Sequence, residues 1–98
     1  MFMAWTFGDF HLDPDLFQLA RHGYPVSLEP QVLSLLIHLV RNHGRMVSKD
    51  EVVQAIWQGR AVSDASISSR IRSARQAVDD DGARQRVIQT VHGRGFRF

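Results

Sequence analysis

Cysteine is absent from this 98-residue sequence, which excludes a disulfide framework and any zinc site built on thiolates. No apolar run approaches the roughly 18 residues a membrane-spanning helix needs, and no signal-peptide pattern opens the chain. A cytoplasmic location is therefore the expectation. Catalytic signatures are missing as well: there is no G-x-S-x-G elbow, no phosphate-binding P-loop and no paired-acid cleft, so neither an enzyme nor a cofactor is expected. His11, His22, His38, His43 and His92 lack H-x3-H or H-E-x-x-H spacing, which leaves no metal site to predict. Lysine is nearly absent, since Lys49 stands alone beside eleven arginines.

What remains is an ordinary globular composition, 44% hydrophobic and 22% charged, of a length that closes one core. The net charge of +2 is too small to argue for a polyanion partner, but its distribution is uneven. Residues 1–44 carry two Arg against four acids, a balance of −2; residues 45–98 carry ten Lys/Arg against six, a balance of +4. Arginine presents a planar fork that matches phosphate and guanine edges, which lysine does not. A basic half rich in arginine fits either a solvated surface or a nucleic-acid face.

Residues 4–28 read as short strands separated by turn residues at Gly8-Asp9 and His22-Gly23, giving a small antiparallel sheet in which Pro25 limits the last piece to an edge. Leu28-Glu29-Pro30 breaks that pattern. QVLSLLIHLVRNHG then places Val32, Leu35, Leu36, Leu39 and Val40 at helical spacing, with Gly44 as the stop. Ser48 and Glu51 have capping-box spacing, so a second helix is expected to start at Ser48 and end at Gly59, burying Val52, Val53, Ile56 and Trp57. A third helix capped by Ser63 or Asp64 follows, with Ile67, Ile71, Ala74 and Val78 as its apolar stripe. Its opposite side holds Ala65, Ser69, Arg72, Ser73 and Gln76, with Arg70 and Arg75 on the flanks and no acid after Asp64. Asp79-Asp80-Asp81-Gly82 reads as a solvated turn, because three consecutive carboxylates lack the alternating spacing of a calcium loop. RVIQTV and FRF then flank HGRG as a hairpin. Gly93 and Gly95 are read as turn residues rather than a nucleotide loop, since a strand and not a helix follows them. Phe96 and Phe98 are expected to point inward, with Arg97 between them.

Two short helices joined by a Gly-containing connection, the second with a polar, cationic outer face, describe a helix-turn-helix; a hairpin after it makes the unit winged. The fold class is α+β. One domain is expected over residues 1–98, with the N-terminal sheet in 1–28, the three-helix core in 29–81 and the wing hairpin in 82–98. A duplex major groove about 12 Å wide admits one such helix.

The segments LEPQVLSLLIHLVRNHGRMVSKDEVVQAIW, VSDASISSRIRSARQAV and VIQTVHGRGFRF together resemble the winged-helix effector domain of OmpR/PhoB-type bacterial transcriptional regulators. The resemblance covers almost the whole chain, and TVxGxGFRF is its most specific part. It implies a four-stranded N-terminal sheet, three helices, a C-terminal wing and a role in recognising double-stranded DNA at promoters. By position, it implies DNA contacts from Ser69, Arg70, Arg72, Ser73 and Arg75 on the third helix. It further implies contacts from Lys49 and Trp57 on the second helix and from Thr90, His92 and Arg94 in the wing. Trp57 is first a core residue, and its phosphate contact is secondary. The Gly59–Val62 loop corresponds to the segment that meets RNA polymerase in some relatives, and self-association on tandem half-sites is compatible with so small a module. The chain departs from the family's pattern at Ser73 and Gln76, where longer basic side chains are common, and at Ala74, where leucine is common. His92 replaces a frequent arginine and Phe96 the usual tyrosine, so no target sequence can be transferred. The sequence carries no receiver domain, so it is expected to be a piece of a larger regulator with signal sensing elsewhere and no small-molecule ligand of its own. The competing reading is a winged-helix protein-interaction module without DNA binding.

Overall fold

The computed structural model describes residues 4–98. The first three residues of the segment assigned to the N-terminal sheet lie outside the described residues. Four short strands open the fold: β1 (Trp5–Phe7), β2 (Phe10–Asp13), β3 (Gln18–Arg21) and β4 (Tyr24–Pro25), paired in that order as an antiparallel sheet. Trp5 pairs with Leu12 and Phe10 with Arg21, so Phe10, Leu12 and Leu19 all reach the core. The buried Asp13 accepts the N–H groups of Asp15 and Leu16 at 2.9 and 3.1 Å, which fixes the turn between β2 and β3.

Helix α1 (Pro30–Arg41) starts on a proline, whose missing N–H is free of cost in a first turn. Its broad apolar face buries seven residues, among them Leu35, Leu36 and Leu39, which are fully enclosed. Each such side chain contributes about 1.5–3 kcal/mol relative to exposure. The helix ends before Gly44: Asn42 turns its backbone N–H and its Nδ2 back onto the carbonyls of Leu39 and His38. His43 lies beyond the last turn, and its Nδ1 donates to the Val40 carbonyl at 2.7 Å.

Strand β5 (Met46–Ser48) then leads directly into α2 (Lys49–Trp57). Ser48 Oγ accepts the Glu51 N–H at 3.1 Å, as the spacing predicts. The reciprocal half of the capping box is replaced: the Glu51 carboxylate accepts from Arg45 at 2.7 and 3.0 Å and lies 2.8 Å from His38 Nε2, tying α2 to α1. Val52 and Ile56 are buried, while Val53 and Trp57 are half-buried. Left-handed Gln58 and Gly59 end the helix, both N–H groups returning to the Val53 carbonyl.

Helix α3 (Asp64–Ala77) is capped by Ser63, whose Oγ accepts the Ser66 N–H at 3.1 Å. Its stripe of Ile67, Ile71, Ala74 and Val78 packs into the core against α1. Strands β6 (Gln89–Val91) and β7 (Gly95–Arg97) form the wing hairpin, and β5 joins its other edge to make a three-stranded sheet in the order β5-β7-β6. Sequence patterning finds the hairpin but not β5. Phe96 is buried against the core, Arg97 is exposed, and the Phe98 ring meets Phe7 edge-on at 5.1 Å, so the wing root is anchored to the N-terminal sheet.

Two local expectations are corrected. Asp80 is not part of a solvated turn. It is buried, and its carboxylate accepts the N–H groups of Arg86, Val87 and Ile88 at 2.9–3.0 Å. Burial works against its ionisation, but hydrogen bonds from the Ile88, Val87, Arg86 and Asp81 backbone together outweigh that penalty and hold its pKa below the ordinary carboxylate value. The two wing glycines also serve different ends: only Gly93 has a positive φ, of 71°, while Gly95 lies in β7 where backbone packs on backbone.

Candidate nucleic-acid interface

The two helices of the helix-turn-helix are joined by residues 58–63, of which Gly59, Arg60 and Ala61 are exposed and Val62 is half-buried. Because α3 spends its apolar stripe on the core, it turns Ala65, Ser69, Arg72 and Gln76 to solvent and leaves Ser73 half-buried beside them. The face is small, hydroxylic and cationic.

Arg70 lies on its flank, half-buried, and donates from Nε to Gln31 Oε1 on α1 at 2.6 Å. That bond ties the side chain to the first helix, thirty-nine residues away in sequence. Trp57 sits beside the start of α3: with Ala65, Ser66, Ser69 and Arg70 it lines a shallow depression of about 260 Å³. The indole is half-buried at the end of α2, consistent with a packing role first.

The wing turn meets the start of α2. The Lys49 N–H is 3.4 Å from the Arg94 carbonyl, so the exposed first turn of α2 abuts the wing turn. That turn is closed by the Arg94 N–H on the Val91 carbonyl at 3.0 Å, with His92 and Arg94 exposed. Thr90 lies half-buried at its root.

Arg75, among the expected contact residues, is turned inward. Its residue exposure is only 8%, and its side chain runs sideways from α3 to the wing rather than outward. Nε donates to the Ile88 carbonyl at 3.0 Å and Nη2 to Thr90 Oγ1 at 2.7 Å. Burial lowers its pKa below the ordinary arginine value, an effect partly offset by the charges of Asp80 and Asp81. A helical wheel places Arg75 at the edge of the stripe; only the arrival of β6 beside it decides that its long side chain turns in.

The structure thus groups Ser69, Arg72 and Ser73 on one face, with Arg70 and Trp57 at one margin, and Lys49, His92 and Arg94 around the wing. Sequence reasoning missed the residues that hold this arrangement. Gln31 braces Arg70, Asp80 organises the approach to β6, and Gln85 Oε1 accepts the Thr90 N–H at 2.8 Å. None of these pairings has a spacing signature. Among the described residues, no three His, Asp or Glu side chains converge to hold a metal ion, and no helix is long and apolar enough to cross a membrane.

Comparison with known proteins places this geometry. Residues 23–98 match the family described as "Transcriptional regulatory protein, C terminal". The transcriptional activator CadC of Escherichia coli is 28% identical over 92 residues, covering 93% of this chain, which in turn spans 18% of CadC. Among solved structures, the response regulator DrrB of Thermotoga maritima, an OmpR/PhoB homologue, superposes with a TM-score of 0.86 at 28% identity, over 97% of this chain and 43% of DrrB. The DNA-binding domain of Klebsiella pneumoniae RstA, solved in complex with the RstA box, has the same fold, with a TM-score of 0.85 at 24% identity over 97% of this chain and 95% of that one. The chain belongs to the OmpR/PhoB-type family of winged helix-turn-helix domains, the DNA-binding domains of bacterial transcriptional regulators.

Proposed function

We propose that residues 1–98 act as one winged-helix unit that binds double-stranded DNA sequence-specifically as the DNA-binding part of a cytoplasmic transcriptional regulator. Helix α3 enters the major groove, and the wing over residues 90–97 lies on the adjacent backbone or in the minor groove. The observation that carries this reading is the α3 face itself: Ser69, Arg72 and Gln76 are exposed together, with no acid on the helix after Asp64. An ordinary solvated helix of this length intersperses acids with its bases. Ser69, Arg72 and Ser73 read bases or water-bridged base edges; Arg70, Lys49, Trp57, His92 and Arg94 meet backbone or minor groove.

Two finer assignments extend this reading. The exposed loop from Gly59 to Ala61, with Val62, is a contact for RNA polymerase, and tandem half-sites draw two copies together on DNA. The competing reading, a protein-interaction module without DNA binding, draws on the exposed Leu16, Phe17 and Tyr24. Leu16 and Phe17 lie in the turn between β2 and β3 and Tyr24 in β4, and they leave the α3 face unexplained. Titration of labelled promoter fragments against scrambled duplex across a salt series separates the two. Steep weakening with salt and a persistent preference for one sequence are expected; a flat salt response, or a partner captured with no duplex held at low salt, removes the DNA reading.

A further inference from the structure

Arg75 is a cation in an unusual position. It is buried, yet among the described residues no carboxylate stands within ion-pair distance of its guanidinium, and Asp80 and Asp81 act on it only from farther away. Buried charges in proteins are normally paired. Its two described hydrogen bonds go to neutral acceptors, the Ile88 carbonyl and Thr90 Oγ1. Among the described residues, no counter-charge touches the guanidinium directly.

Thr90 is the way out. Its backbone N–H is taken by Gln85 Oε1, and its backbone is held in β6 opposite Phe96. Because Oγ1 accepts from Arg75 at 2.7 Å, the hydroxyl hydrogen must point away from the guanidinium. Among the described residues nothing accepts that hydrogen. A hydroxyl that accepts from a cation is polarised into a stronger donor, and an anionic oxygen is the acceptor that gains most from it. Thr90 is half-buried at the root of a wing whose turn is exposed, so a phosphate beside the wing can reach the hydroxyl.

We propose that Arg75 acts on DNA through Thr90: the buried guanidinium orients and polarises the Thr90 hydroxyl, which donates to one backbone phosphate, and that phosphate adds to the counter-charge of Asp80 and Asp81. Arg75 is then a positioning residue and Thr90 the contact. The inference rests on the duplex-binding reading above. It differs from direct contact by Arg75, because the side chain need not leave its buried place.

The test is a scan of a bound duplex in which single phosphates are replaced by neutral methylphosphonates, read for the native chain, Thr90→Ser, Thr90→Val and Arg75→Gln. In the native chain and Thr90→Ser, neutralising one phosphate beside the wing weakens binding by about tenfold, the scale of one charge-assisted hydrogen bond. Thr90→Val and Arg75→Gln each weaken binding to unmodified duplex by a similar factor and no longer sense that phosphate. The double variant is no weaker than either single one. A lowered melting temperature in Arg75→Gln is expected, since the Ile88 carbonyl loses its donor, but instability alone does not silence one phosphate. The relay is overturned if Arg75→Gln keeps the native scan, or if the two losses multiply. Should Arg75→Gln fail to fold, a native scan in Thr90→Val overturns it equally. Binding with an unchanged scan removes the relay alone, whereas a native chain that holds no duplex at low salt removes the DNA reading beneath it.

Discussion

A side-chain carbon at Gly95 would collide with the carbonyl oxygen of Val47 and lie 2.8 Å from the Ser48 Cα. The two strands are paired there, Ser48 opposite Gly95, so neither backbone can give way without opening the β5–β7 ladder. Gly93, two residues earlier, meets open space and is needed only for its φ of 71°. The two substitutions therefore separate. Gly93→Ala is expected to cost about 1–2 kcal/mol, the left-handed penalty of one residue, and Gly95→Ala about 3 kcal/mol or more, because the clash is with backbone. Urea unfolding followed by tryptophan fluorescence measures both. Equal losses would mean that both glycines serve the turn.

Acid should attack the contact between α1 and α2. Glu51 is held down to a pKa of about 2 from an ordinary 4.5, first by the hydrogen bonds from Arg45 and then, against the penalty of burial, by His38. A depressed carboxylate contributes stability that is fully present above pH 4.5 and is lost as pH falls from there towards 2. Glu51→Gln should be less stable than the native chain at neutral pH, and the two stability curves should converge as pH drops through that window. Parallel curves across the window would show that the carboxylate's charge contributes nothing.

The reach of sequence reasoning follows the range of the interactions involved. Leu35 and Leu36, Ile67 and Ile71, and the caps at Ser48 and Ser63 all declare themselves within a few residues, and the structure places each as expected. Met46-Val47-Ser48 does not declare itself: three residues give no alternation, and what makes them a strand is β7, almost fifty residues later. Gly95 was legible as a glycine but not for its reason, which is the same distant pairing. Arg75 is legible as a cation near the exposed α3 face, yet its direction depends on where the Ile88 carbonyl and the Thr90 hydroxyl arrive. Glu51 was legible as a capping-box acid, but Arg45 and His38 compete successfully for it.

Asp80 offers a sharper case, because its two oxygens divide three donors. Oδ1 accepts the Arg86 N–H, while Oδ2 accepts those of Val87 and Ile88. Asp80→Asn keeps one acceptor oxygen and aims an amide NH2 at the donors on the other side. Each group so unpaired costs about 1–3 kcal/mol. The loss should be local: faster amide exchange at residues 86–88 than in α1, with weaker duplex binding because β6 and Thr90 are launched from this segment. Native exchange rates at these three amides in Asp80→Asn would show that the carboxylate is dispensable there.

Arg72 and Arg94 carry the same charge from different places, and DNA should tell them apart. Arg72 projects from the middle of the exposed α3 face, where a planar guanidinium can address a guanine edge; Arg94 projects from the wing turn, where phosphates are the nearer partner. Arg72→Ala should cost about 1–3 kcal/mol of binding and relax the preference at one base position. Arg94→Ala should weaken all duplexes evenly and reduce the slope of log K against log salt by about one. Selecting bound duplexes from a random pool with each variant reads the first effect, and a salt series reads the second. If Arg72→Ala weakens every sequence equally, Arg72 is a backbone contact and base discrimination falls to Ser69, Ser73 and Gln76, whose short or neutral side chains reach bases directly or through water.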